Sequence, residues 1–146
     1  PSTIAAVFSY FLIDFVMMKH KLGRITTTDG GYLVNGEAYI PDAAYISYAR
    51  QREPVEDHGY NVLAPDLAVE VLSPGNTPQE ISTKVTNYLI AGVVVWLADP
   101  AKETVTVYIP AEKPVTLTTD DTLTGGDLLP GFSVLVHDLF PEPPIA

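Results

Sequence analysis

The chain reads as α/β, with helical and strand patterns mixed along its length around a well-buried sheet. Three stretches carry that reading. Residues 3–22 place Ile4, Phe8, Phe11, Phe15, Met18 and Leu22 at spacings of three or four, the period of one helix face. Residues 67–72, Leu-Ala-Val-Glu-Val-Leu, form a nearly unbroken apolar run of strand length, suited to a central strand covered on both faces. Thr77-Pro78-Gln79-Glu80 then offers Thr as N-cap, Pro at the first helical position and Glu at the third. That is a capping box, and it starts a second helix.

In the first helix Ala5, Leu12 and Val16 widen the apolar stripe, which predicts burial on more than one side, and Gly23 is the expected stop. Asp14 interrupts the stripe and reads as an exposed or paired carboxylate on the outer face. Asp29-Gly30-Gly31 marks a turn. Residues 31–34 and 37–40 then form a hairpin about Asn35-Gly36, a pair that tolerates the positive φ angles of a two-residue turn. Residues 43–47 continue the second of these strands as an extended segment, and 48–60, charged and containing Pro54, read as a loop. The capped helix runs to about Ile90, with Gly92 at its C′ position. Residues 93–98 are another apolar strand, which turns at Asp99-Pro100 into the Thr/Val alternation of 104–109. Short strands at 114–118 and 132–136 flank a turn at Asp120-Asp121, and the proline-rich end, 141–146, is expected to fray.

Length and composition narrow the function classes. At 146 residues the chain is read as one domain, 1–146, able to bury roughly 68–70% of its unfolded surface around one core. Hydrophobic residues make up 47%, which excludes disorder. Cysteine is absent, so neither a disulfide framework nor a thiolate zinc site can form, and a cytoplasmic location is expected. The apolar stretch from Ile4 to Met18 is broken by Ser9 and Asp14 and falls short of the roughly 20 residues that span a bilayer. With no basic leader and no small-residue cleavage site, neither a membrane partner nor a signal peptide is expected. The chain begins at Pro1, so residues upstream are expected to be missing. Net charge is −10, from eight basic and eighteen acidic residues, which argues against non-specific binding of a polyanion. Lys19, Lys21 and Arg24 group together, as do Arg50 and Arg52, and a local patch of that kind can still meet a phosphate backbone.

The chemistry-bearing residues are three carboxylates and one lysine. Asp42 follows Pro41, Asp66 follows Pro65, Glu70 lies inside the apolar strand, and Lys84 stands on the capped helix. Strand periodicity puts Asp66, Ala68 and Glu70 on one face, and Asp42 with Ala44 on a face of the earlier strand. If those strands are neighbours, Asp42 and Glu70 converge on one hard cation. Mg²⁺ suits such a pair, because it needs only one or two carboxylates and keeps its waters. Each residue also has a plain reading. Asp after Pro often starts a turn or a strand, and Lys84 could pair with Glu80 one helical turn earlier. Glu70 resists the plain reading best, since an acid amid apolar neighbours is costly to bury unless paired, hydrogen-bonded or metal-bound. His20, His58 and His137 have no metal-ligand spacing, and Trp96 and Tyr88 read as core.

The residues 41–44 (Pro-Asp-Ala-Ala), 64–74 (Ala-Pro-Asp-Leu-Ala-Val-Glu-Val-Leu-Ser-Pro), Lys84 with Tyr88, 91–93, 96–100 and 129–132 stand in an order that resembles the Uma2 (DUF820) family. That family lies within the PD-(D/E)xK nuclease superfamily, and the likeness runs from about residue 2 to 140. It implies a restriction-endonuclease-like core, a central mixed sheet flanked by helices, and Mg²⁺- or Mn²⁺-dependent phosphodiester hydrolysis. Carried over, Asp42 and Glu70 become metal ligands, and Asp42, Glu70 and Lys84 the catalytic set. In the superfamily's common pattern the lysine stands two residues after the acid, where this chain has Leu72, so Lys84 is read as a lysine moved onto the helix. Such proteins usually carry a strand and helix upstream, and the site is expected to be incomplete without them.

Two further readings stand beside an endonuclease acting on nucleic acid, DNA foremost. One is a non-catalytic module on the same fold that binds nucleic acid or a partner protein, which the acidic charge favours. The other is a homodimer in which the apolar first helix packs against its copy.

Overall fold

Burial on both faces is what the run from Leu67 to Val71 demands, and these five residues lie at the centre of a six-stranded sheet, all of them buried. The structure is a computed structural model in which residues 1–55 and 59–145 are described. Its elements in chain order are α1 (Ser2–Leu12), a π-helical segment (Ile13–Lys19), β1 (Gly23–Thr26), β2 (Tyr32–Val34), β3 (Glu37–Tyr39), β4 (Ala43–Ser47) and β5 (Leu67–Val71). There follow α2 (Pro78–Ile90), β6 (Val94–Asp99), β7 (Thr104–Tyr108), β8 (Val115–Leu117), β9 (Thr122–Gly125), β10 (Leu129–Leu135) and a 3₁₀ turn (Val136–Leu139). The sheet order is β1-β4-β5-β6-β7-β8; β5 and β6 run parallel, joined through α2, and every other neighbouring pair is antiparallel. A parallel pair needs such a crossover, and a helix is its usual form.

The two faces bury different partners. Ala43, Leu67, Val69, Val71 and Trp96 pack with Phe8, Leu12 and Val16 of the first helix and with Leu123, Phe132 and Leu139 of the C-terminal segments. Ala44, Ala68 and Val95 pack with Val85 and Tyr88 of α2 and with Tyr32 and Val34 of the β2–β3 hairpin. The period of two therefore sends Val69 and Val71 to one face and Ala68 and Glu70 to the other.

The capped helix forms where the sequence places it. Glu80 N–H donates to Thr77 Oγ1 at 3.1 Å, while Glu80 Oε2 accepts from Thr77 N–H. At its other end Gly92, with φ of 82°, closes a Schellman motif: Gly92 N–H donates to Leu89 O and Val93 N–H to Tyr88 O. The hairpin turn also forms as expected, with φ of 48° at Asn35 and 81° at Gly36.

Several expectations change. The helix expected over 3–22 is α-helical only to Leu12 and continues with π geometry to Lys19. That wider turn brings Asp14 and Lys19, five residues apart, into an ion pair of 3.0 Å. Gly23 is no helix stop: Lys21, at φ of 49°, turns the chain, and Gly23 opens β1 where a Cβ would collide with the Ile46 and Ser47 backbone. Residues 43–47 do not prolong the hairpin but enter the central sheet between β1 and β5. Strands β1 and β9 were not expected at all. By length and a mean hydropathy of 1.4, Ser2–Lys19 could cross a membrane, yet Phe8, Leu12 and Val16 are buried against the sheet.

Candidate functional site

Strand register sets the geometry. Ala43 stands opposite Val69 and Ala44 opposite Ala68, so the next pair outward along β4 and β5 is Asp42 and Glu70. Directly opposed residues point their side chains to the same face. One step beyond, Pro41 cannot take part in a ladder as a donor, and the pairing ends. Val71 N–H, left without a strand partner there, donates instead to Asp42 Oδ2 at 2.7 Å. This bond ties the Asp42 carboxylate to the end of β5, and Oδ1 has no hydrogen-bond partner among the described residues.

Glu70 lies at the carboxyl end of β5, 7% exposed, on the face covered by α2. Helix α2 meets that face with Ile81, Lys84, Val85 and Tyr88, the i, i+3, i+4, i+7 positions of one stripe. Val85 and Tyr88 are buried in the core, whereas Lys84 sits at the stripe's margin, its side chain 30% exposed. The helix thus brings two donors to one carboxylate. Tyr88 OH donates to Glu70 Oε2 at 2.8 Å, and Lys84 Nζ lies 3.5 Å from Oε1. The first is a good hydrogen bond; the second is a long ion pair. Lys84 pairs with Glu70 and not with Glu80, which is held by the capping box.

Electrostatics follow from that packing. Burial raises the Glu70 carboxyl above its ordinary range, the Lys84 charge and the Tyr88 hydrogen bond oppose the rise, and the Asp42 charge adds to it. The Tyr88 hydroxyl is raised well above the usual tyrosine range, first by burial and then by the Glu70 carboxylate beside it. It therefore remains a donor across the working pH range. The Asp42 charge acts on the Glu70 carboxyl, which lies beside one ammonium; two carboxylates of this kind offer hard oxygen donors whose excess negative charge a divalent cation would offset. No group of three or more potential ligands occurs among the described residues, so a cation here would draw on two carboxylates and on water.

Asp66 lies apart. Its Oδ2 accepts from Ser47 N–H at 2.8 Å, at the opposite end of the β4–β5 pair, and its charge acts on Tyr45 rather than on Glu70. It secures strand ends. His20 packs against Phe15, His137 lies beside Asp138, and His58 is outside the described residues. Three side chains at the site were given no site role from the sequence. Tyr88, read as core, is buried yet spends its hydroxyl on Glu70; its place four residues after Lys84 was the available signal. Tyr39 lies with its ring centroid 5.6 Å from Lys84 Nζ, and Asn87 Nδ2 donates to Tyr39 OH at 2.7 Å. Nothing in the local sequence marks that pair.

Comparison with known proteins agrees with this architecture. The profile of the Uma2 family, described as "Putative restriction endonuclease", matches residues 2–137. A crystal structure described as "a putative nuclease belonging to DUF820 from Anabaena variabilis ATCC 29413" superposes with a TM-score of 0.82 at 22% identity, covering 95% of this chain and 79% of that one. At that identity the likeness shows the fold, which in this chain is a mixed six-stranded sheet with helices. No curated protein matches the chain.

Proposed function

Since the chain belongs to the Uma2 family, we propose that it is a metal-dependent endonuclease that hydrolyses phosphodiester bonds in nucleic acid. Asp42 and Glu70 are the metal ligands and Lys84 is the catalytic lysine. The observation that carries this reading is Glu70: a carboxylate buried at a strand's carboxyl end, oriented by a tyrosine and a lysine from one helix, opposite a second carboxylate. A fold needing only stability would place an apolar residue there, because a buried acid beside another acid is unfavourable by itself.

The donor set fits Mg²⁺ or Mn²⁺, which bound there would lower the pKa of a coordinated water and offset charge on the phosphate. The protein's own groups divide the remaining work. Asp42, anchored through Oδ2 to Val71 N–H, presents Oδ1 in a fixed direction. Glu70 is held in a single orientation by the Tyr88 hydroxyl. The Lys84 ammonium, at the margin where the helix stripe meets solvent, can donate to a phosphate oxygen as negative charge builds on it. The placement at the carboxyl end of a parallel strand, beside the start of its crossover, matches where open α/β sheets bind ligands.

The test is cleavage of single- and double-stranded DNA and RNA with Mg²⁺, Mn²⁺ or EDTA present. Wild type should cut only with metal. Glu70→Gln and Asp42→Asn should abolish turnover, and Lys84→Met should lower kcat by about 10²–10³-fold, the range seen when one donor to developing charge is removed. Cleavage that survives Glu70→Gln and Lys84→Met would end this mechanism. A wild type that binds nucleic acid without cutting it would support the non-catalytic module instead.

A further inference from the structure

We propose that Tyr39 is a positioning residue for Lys84, and that the β2–β3 hairpin exists in this fold to deliver it. The inference rests on the nuclease reading for its catalytic consequence, and on geometry alone for the contact.

The hairpin is not part of the central sheet; it forms its own two-stranded ribbon over α2. An isolated hairpin has little stability, so its position depends on what it docks against. Two kinds of contact fix it. Tyr32 and Val34 are buried with Val85 and Tyr88, which supplies area but little direction. Directional contacts hold both strands. On β2, Leu33 N–H donates to Asn61 O and Asn61 N–H to Gly31 O, each at 2.8 Å, and Tyr32 OH pairs with Thr26 Oγ1 at 2.7 Å. Those at the turn and on β3 converge on one helix residue. Asn35 Nδ2, in the turn, donates to Asn87 Oδ1 at 3.0 Å, and Asn87 Nδ2 donates to Tyr39 OH at 2.7 Å. Asn87 thus clamps both ends of β3, the turn before it and the tyrosine that closes it.

What the clamp places is the Tyr39 ring. It packs against Tyr88 with centroids 5.3 Å apart and lies 5.6 Å from Lys84 Nζ, within reach of a cation–π contact. Lys84 has a flexible four-carbon stem and only a long ion pair of 3.5 Å to Glu70, too weak by itself to hold one rotamer. The Tyr39 ring gives the ammonium a second contact beside its ion pair with Glu70. Neither Tyr39 nor Asn87 hydrogen-bonds Glu70, whose side-chain partners are Tyr88 and Lys84.

Two measurements on the whole protein test this. The first is side-chain NMR of lysine, with the Lys84 signal assigned by its loss in Lys84→Met. The wild-type Lys84 Cε signal should show the upfield displacement of a group held over an aromatic face, kept in Tyr39→Phe and lost in Tyr39→Leu. The second is steady-state cleavage. Tyr39→Leu should lower kcat about tenfold, the rate equivalent of one such contact, with KM little changed. Tyr39→Phe should recover most of that loss, and Tyr39→Leu should cost nothing further in the Lys84→Met background. A Lys84 signal that ignores Tyr39→Leu overturns the proposal, as does a full additional loss in the Lys84→Met background. If the wild type cleaves no substrate the nuclease reading fails, and the NMR comparison alone still decides whether Tyr39 holds Lys84.

Discussion

Replacing Tyr88 by Phe removes one oxygen atom and tests the packing of the site directly. The ring volume stays, so the core around Val85, Val95 and Ala68 is undisturbed. What is lost is the 2.8 Å hydrogen bond to Glu70 Oε2, in a place too buried for bulk water to replace it. A hydrogen bond to a charged group is worth about 1.5–3 kcal/mol and one between neutral groups about 0.5–1.5. The loss should therefore depend on whether Glu70 is ionised. At pH 8 the unfolding free energy should fall by about 2 kcal/mol; at pH 4, toward the acid side where burial makes Glu70 keep its proton more firmly than a free carboxyl does, by about 1 or less. With a urea slope of about 2 kcal/mol per molar for a domain of this size, the pH 8 midpoint should drop by about 1 M. The assay is equilibrium urea unfolding of wild type and Tyr88→Phe in EDTA at both pH values. Equal losses at pH 8 and pH 4, or none at pH 8, would refute the claim that Tyr88 serves the ionised carboxylate.

Two other outcomes follow from the same contacts. Burial and Asp42 raise the Glu70 pKa on folding, so the folded state holds its proton longer than the unfolded state does. In metal-free buffer, stability should then be fullest below the ordinary carboxylate range and decline as pH rises from there through the raised folded value. Tm against pH should show that decline in wild type and a flatter line in Glu70→Gln; parallel lines would contradict it. Asp66→Ala should cost about 1–2 kcal/mol by stranding Ser47 N–H while leaving Mn²⁺ affinity unchanged. Loss of metal binding in a folded Asp66→Ala protein would show that Asp66 belongs to the site after all.

How much of this was legible in the sequence depends on the kind of signal each element carries. Strand β5 and helix α2 are local: a continuous apolar run and a capping box announce themselves whatever surrounds them, and both formed within a residue of expectation. The pairing of Asp42 with Glu70 was conditional on β4 and β5 being neighbours, which only the sheet could decide. Strand β1 went unseen because Gly23-Arg24-Ile25-Thr26 is short, mostly half-buried at a sheet edge, and has little alternation to read. The π-helical stretch was likewise invisible, since apolar spacings of three and four describe an α-helix equally well. Asp66 and Asp42 share a local signature, each an acid after proline, yet only Asp42 was read as a ligand, and the two serve opposite ends of one strand pair. The ring of Tyr39 has no sequence signature and Tyr88 offers only its place four residues after Lys84, because their roles come from which helix face and which hairpin end meet in space.

Soaking crystals of the metal-free protein in Mn²⁺ and collecting anomalous diffraction tests most directly whether Asp42 and Glu70 hold one cation between them. Shared coordination predicts a single strong peak bonded to a carboxylate oxygen of each residue, absent in Glu70→Gln crystals. Millimolar Mn²⁺ that leaves this position empty, or settles on acids elsewhere while Asp42 and Glu70 stay as they are, would contradict it.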